Sequence, residues 1–240
     1  MPTQINAAFV GDSHGMIIQA AAADAGITFK HPITAASAMF AESRFAPDDA
    51  GKPTFQPAAG RIDPEVHAAN KIAQRLKKAH TLTGAFQSLF ANPVPVFANI
   101  GTTARTFVQR IVTSQKSNGQ TGQAMSIKLA KRAAKEFFQD FRQQYAEIAL
   151  HCPEVIFFYG PTRFTPETRD LWLAYDEAIA AELAEIAVDM LDLRSTLGDD
   201  DLLLLPEYYP EPDDDVHANA KWGMDVMTAI QAHKSLQTGT

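Results

Sequence analysis

Residues 4–15 read Gln-Ile-Asn-Ala-Ala-Phe-Val-Gly-Asp-Ser-His-Gly. The near-continuous apolar run from Gln4 to Val10, closed by Gly11, has the pattern of a strand buried on both faces of a parallel sheet. Met16 to Ala25 is rich in alanine and predicts a helix, stopped at Gly26, with a weaker strand at Ile27 to Phe29. The same alternation recurs downstream. Val94 to Ile100, Glu154 to Tyr159 and Val188 to Leu193 read as strands. A helix opening at Asp63-Pro64-Glu65 and running to about Phe90 precedes the first of these. Helices over Met125 to Leu150, from Thr165-Pro166-Glu167 to about Ile186, and over Ala218 to His233 complete the set. In Met125 to Leu150 the expected buried stripe is Leu129, Ala133, Phe137, Phe141, Tyr145 and Ile148. Residues 43–64, 113–123 and the acidic 198–215 read as loops. The expectation is one domain over residues 1–240: an α/β fold, a three-layer α/β/α sandwich on a five-stranded, mostly parallel sheet.

Composition narrows the function. Lys+Arg number 21 against 28 Asp+Glu, a formal charge of −7, which argues against nucleic acid as a partner because phosphate contacts need a basic face. A single cysteine, Cys152, excludes an intrachain disulfide and a cysteine zinc cluster. No apolar run approaches the roughly 20 residues of a membrane helix, and the start of the chain lacks the regions of a secretory signal. A cytoplasmic protein without a membrane partner is expected.

In open α/β sheets reactive groups gather past the carboxyl ends of the strands. Gly11, Gly101 and Gly160 mark three such ends. The first carries Gly11-Asp12-Ser13-His14-Gly15, which supports several readings. Ser13 at a strand-to-helix turn is placed to act as a nucleophile, with helix-start N–H groups to hold an oxyanion. The spelling G-x-S-x-G matches the α/β-hydrolase elbow, but that fold needs an oxyanion loop upstream that so short a leading stretch cannot supply. Asp12 and His14 form a two-ligand metal motif similar to the first motif of metallophosphoesterases, whose later motifs are missing here. The plain alternative is that Asp12 caps the next helix. Near the other end, Asp214 stands three residues before His217 at a helix entrance. A carboxylate there holds one ring nitrogen and leaves the other as a base, so Ser13, His217 and Asp214 can form a triad.

Gly11-Asp12-Ser13 after the first strand, together with Asp214-x-x-His217 before the last helix, resembles the SGNH/GDSL-type hydrolases, and the strand order between them is similar. The resemblance implies a cofactor-free serine esterase or acyltransferase acting on small or glycan-linked esters. It assigns the oxyanion donors to Ser13, to Gly101 and to the position of Thr162, where the family carries asparagine. A shorter threonine there puts efficiency in question, since one lost donor costs roughly 10²–10³ in turnover. Asp12, His14, Asn99, Arg105, Arg163, Tyr208 and Tyr209 are the substrate-contact candidates. Asn99 and Arg163 are alternative oxyanion donors, Arg105 and Arg163 suit an anionic group, and the two tyrosines either stack on a sugar or anchor their loop. A metal-dependent phosphoesterase and a non-catalytic glycan- or partner-binding module are the competing classes.

Overall fold

The computed structural model describes residues 2–58, 69–119, 125–211, 214 and 216–237. The chain runs β1 (Thr3–Gly11), α1 (Ser13–Asp24), β2 (Ile27–Thr34), α2 (Ser37–Ala41), β3 (Ser43–Pro47), β4 (Pro53–Pro57) and α3 (Ala69–Ala91). It continues with β5 (Val96–Ala98), α4 (Arg105–Ser117), α5 (Ile127–His151), β6 (Val155–Phe157), α6 (Arg169–Ala184) and β7 (Asp189–Met190). The last elements are α7 (Arg194–Leu197), a 3₁₀ turn (Pro206–Tyr208), α8 (Ala220–Ala232) and α9 (Lys234–Gln237). The main sheet has five strands in the order β2-β1-β5-β6-β7, and each pairing is parallel. The expected three-layer α/β architecture is therefore the architecture found.

Side-chain alternation along the strands divides the core in two. Ala8 and Val10 of β1, Val96 and Ala98 of β5, and Val155 and Phe157 of β6 face α3, α5 and α6. Ala7 and Phe9, with Phe97 and Ile156, face α1 and α8. After β2 the chain crosses back past β1 to lay down β5, so the order reverses between β1 and β5. That reversal leaves a crevice beyond their carboxyl ends, where ligands bind in sheets of this kind.

The loop expected over 43–64 is, in its described part, a β-hairpin. Phe45 of β3 pairs with Phe55 of β4, and both rings pack on Phe86 of α3. Pro47 and Pro53 pair at the turn end of the hairpin, where a missing N–H interrupts little of the ladder. The helix start at Asp63-Pro64-Glu65 lies outside the described residues. Residues 113–117, also expected as loop, are the last turns of α4; they are polar because they face solvent almost throughout. Asn118 and Gly119 form the turn that follows, and residues 120–123 of that expected loop are outside the described set. In α5 the buried stripe is Ala130, Ala134, Phe138, Phe141, Tyr145 and Ile148, while Leu129 is 53% exposed. Stepping back by four at every turn drifts off the face of a helix with 3.6 residues per turn. Among the described residues no helix is long and apolar enough to cross a membrane.

α1 and α8 lie against each other on one face of the sheet. Their close approach depends on Gly223, where an added Cβ would stand 2.9 Å from the carbonyl oxygen of Ile17 and 3.2 Å from the Cβ of Ala21. A Gly223→Val chain should lose about 1–3 kcal/mol of stability in urea unfolding, because the overpacking outweighs the small gain in helix propensity.

Candidate active site

The turn from β1 into α1 is built by residues of the first motif. Asp12 is the N-cap of α1, and its Oδ1 accepts from the His14 N–H at 3.0 Å. Ser37 Oγ donates to the other oxygen at 3.1 Å, and Asn99 Nδ2 donates to Oδ1 at 3.3 Å. Asp12 is 3% exposed and caps the helix, as the plain alternative expected, with its carboxylate also held by Ser37 and Asn99, and it lines the cavity beside Ser13. Ser13 is the first residue of α1, and its Oγ makes no hydrogen bond among the described residues.

The Asp214 carboxylate is positioned by its own loop. Oδ1 accepts the backbone N–H groups of Val216 and His217 at 2.7 and 3.0 Å. Oδ2 lies 2.8 Å from His217 Nδ1. The bond from His217 and the two backbone donors hold this carboxyl well below the usual range, so it stays ionised. An ionised carboxylate only accepts, so His217 carries its proton on Nδ1 and donates it in this hydrogen bond, which leaves the lone pair on Nε2.

The two segments meet at one rim. The His14 ring, next to Ser13 in sequence, has its centroid 5.2 Å from that of His217. Ser13, Gly101 and Val216 all line one cavity of about 530 Å³ at the β1/β5 crevice. Gly101 has φ +69°, and a side chain there would strike the Phe141 ring at 2.5 Å. Its carbonyl accepts from Tyr175 Oη at 2.6 Å, which fixes the peptide. Neither the Ser13 nor the Gly101 backbone N–H is committed to a hydrogen bond among the described residues. Two uncommitted donors on the wall of one cavity can hold an oxyanion there.

Other expected site residues are placed differently. Thr162 is 4% exposed and lines a separate cavity of about 20 Å³ with Leu204 and Trp222, room for roughly one water. Its carbonyl accepts from the Leu204 N–H, which ties the chain after β6 to the 198–204 segment. Arg163 is a latch. Its Nη1 donates to the carbonyls of Asp214 and His217, the latter at 3.2 Å, and its guanidinium lies 4.0 Å over the Tyr209 ring. Tyr208 is buried, with its hydroxyl donating to Asp225 Oδ2 at 2.8 Å, which leaves no face for a sugar. Tyr208 anchors its loop, while Tyr209, under the Arg163 guanidinium, lines a further cavity of about 360 Å³ together with Arg105 and Arg163. Asn99 is wholly buried and serves the turn, because its Oδ1 accepts from Asp12 N–H at 3.3 Å. Arg105 does line the Ser13 cavity.

Ser37, Thr103, Arg110 and Tyr175 also line that cavity and were not found by sequence reasoning. They are brought in by α2, the turn after β5, α4 and α6, and no local motif announces them. Asp12 and His14 are not joined by a third ligand: among the described residues no group of three or more His, Cys, Asp or Glu is arranged to hold a metal. Burial pushes the Cys152 thiol up to about 12, so it is not a nucleophile at neutral pH. No family model matches this chain, and no curated protein matches it.

His14 is 3% exposed and its Nδ1 has no partner among the described residues. Burial above all, with the neighbouring His217 in support, lowers its pKa below the ordinary 6.5. Above pH 6.5 the folded and unfolded chains both hold this ring neutral. Below it the unfolded chain takes up a proton that the folded chain refuses, so stability falls as pH drops, by at most about 1.4 kcal/mol per unit. Between pH 7 and pH 5, urea unfolding should show stability changing less favourably in the intact chain than in His14→Gln. His31, lowered mainly by burial, adds a slope of the same sign to both chains, and Asp176, pushed up to about 8 by burial, adds one of the opposite sign to both, so the difference between the two chains isolates His14.

Proposed function

We propose that this chain is a serine-dependent carboxylic ester hydrolase of the SGNH/GDSL type, acting on small or glycan-linked esters. The observation that carries the reading is the Asp214–His217 pair, 2.8 Å apart, with Val216 between them lining the same cavity as Ser13 and Gly101 and the His217 ring 5.2 Å from that of His14. In the proposed reaction His217 Nε2 takes the proton of Ser13 as its oxygen attacks the ester carbonyl. Asp214 keeps the imidazole in the required tautomer and stabilises its cation. The N–H groups of Ser13 and Gly101 receive the developing negative charge. The imidazolium then protonates the departing alcohol. Water, activated by the same ring, releases the acyl group; a sugar hydroxyl in place of water makes the reaction an acyl transfer.

Arg163 supports this chemistry indirectly, by pinning the carbonyls of both Asp214 and His217. The metal-dependent phosphoesterase is less favoured, because both Asp12 oxygens already accept hydrogen bonds within the turn. A non-catalytic binding module is the competing reading. Thr162 favours it, since its placement leaves two backbone donors without the side-chain donor the family carries.

Turnover separates the two. The intact chain should hydrolyse an aryl acetate, keep that activity in EDTA, and be labelled on Ser13 by a fluorophosphonate. Ser13→Ala should abolish labelling and lower kcat by roughly 10³ or more with the fold unchanged by circular dichroism. Full activity in Ser13→Ala, or no turnover and no labelling of the intact chain, would overturn the proposal.

A further inference from the structure

The cavity beside Ser13 is far larger than an acetyl group requires. At about 530 Å³ it falls in the ordinary range of small-molecule sites, roughly 300–1,000 Å³. One wall follows the start of α4, through Thr103, Arg105, Thr106 and Arg110. From Arg105 to Arg110 the helix advances about 7.5 Å. The cavity therefore has an oxyanion end, at Ser13 and Gly101, and a distal end at Arg110. Phe137 and Phe141 give it an apolar side.

The charges around the cavity are unequal in their engagement. Asp12 is taken up by Ser37, Asn99 and the His14 N–H. Glu42 is clasped by Arg75, with contacts of 2.9 and 3.3 Å. Arg110 has no carboxylate partner and no hydrogen-bond acceptor among the described residues. Its guanidinium rests over the Phe137 ring, 5.0 Å from the centroid. That contact orients the planar fork and leaves its N–H edge for a ligand. In a chain of formal charge −7, a cation on a cavity wall whose acids, Asp12 and Glu42, are engaged by other groups is a place for an anion.

The geometry points to Arg110 as the recognition group for a carboxylate carried on the acyl portion of the substrate. The substrate class is then a half-ester of a dicarboxylic acid. Its ester carbonyl lies at Ser13, its methylene chain runs along Phe137 and Phe141, and its free carboxylate meets the guanidinium. The ester part of this inference rests on the proposed hydrolase; the anion part rests on the cavity alone.

Two matched compounds test it. Monomethyl glutarate and methyl valerate have acyl chains of equal length and differ in the terminal carboxylate. Calorimetry on the Ser13→Ala chain should find the glutarate bound roughly tenfold tighter than the valerate. Arg110→Gln in the same background should erase the difference, and Arg110→Lys should keep part of it. On the intact chain, the ratio of kcat/KM for the 4-nitrophenyl esters of glutarate and valerate should fall roughly tenfold with Arg110→Gln. Equal affinities, a preference that survives Arg110→Gln, or no binding of either compound would overturn the inference. Preferential glutarate binding without turnover of either ester supports the anion site and retires the hydrolase; turnover of both esters at equal kcat/KM, without preferential binding, does the reverse.

Discussion

The side-chain amide of Asn99 joins the turn after β1 to the end of β5, and the site is arranged around that join. Its oxygen accepts from the Asp12 backbone and its nitrogen donates to the Asp12 carboxylate. The amide needs space, and two glycines provide it. A Cβ on Gly11 would stand 2.7 Å from the Asn99 oxygen and 2.5 Å from the Phe9 ring; one on Gly15 would stand 2.7 Å from the same ring. The five-residue motif thus separates by physical duty. Gly11 and Gly15 admit neighbours, Asp12 caps the helix, and Ser13 and His14 are left to face the crevice. The glycines that give the motif its hydrolase-like spelling are explained by packing.

The layering of the core governs how distant segments meet. On one face of the sheet α3, α5 and α6 build a broad apolar layer with many aromatic rings. On the other, α1 and α8 lie close together, and their N-terminal ends carry Ser13 and, just before α8, His217. Asn219 caps α8 and also donates from its amide to the carbonyls of Glu207 and Tyr209. The loop bearing Asp214 and His217 is therefore tied at both sides, by Asn219 below and by the Arg163 latch above.

The parts of this structure legible in the sequence are those set by local pattern. Buried strands such as 154–159 show as apolar runs, and the Asp214-x-x-His217 spacing is enough to let a carboxylate reach a ring three residues on. Long-range geometry was not legible. Phe45 and Phe55 sit in a segment punctuated by proline, and only their mutual pairing against Phe86 makes it a hairpin. Thr162 follows a strand end just as Gly101 and Ser13 do, yet the path after β6 carries it to Trp222. Arg163 reads as a surface cation until the carbonyls it grips, more than fifty positions later, are placed beside it. Residue type announces what a side chain is able to do; only the fold decides which neighbour uses it.

The strand order has a consequence for synthesis on the ribosome. β1 is translated first but ends up second from one edge, with β5 as its inner neighbour. Until β5 emerges, one side of β1 has unpaired peptide groups exposed to any passing chain, covered only from the β2 side. The imidazole arrives later still, after β7 has closed the far edge. Ser13 is therefore made about two hundred residues before His217, and the two can share a crevice only after the whole sheet between them has been laid down.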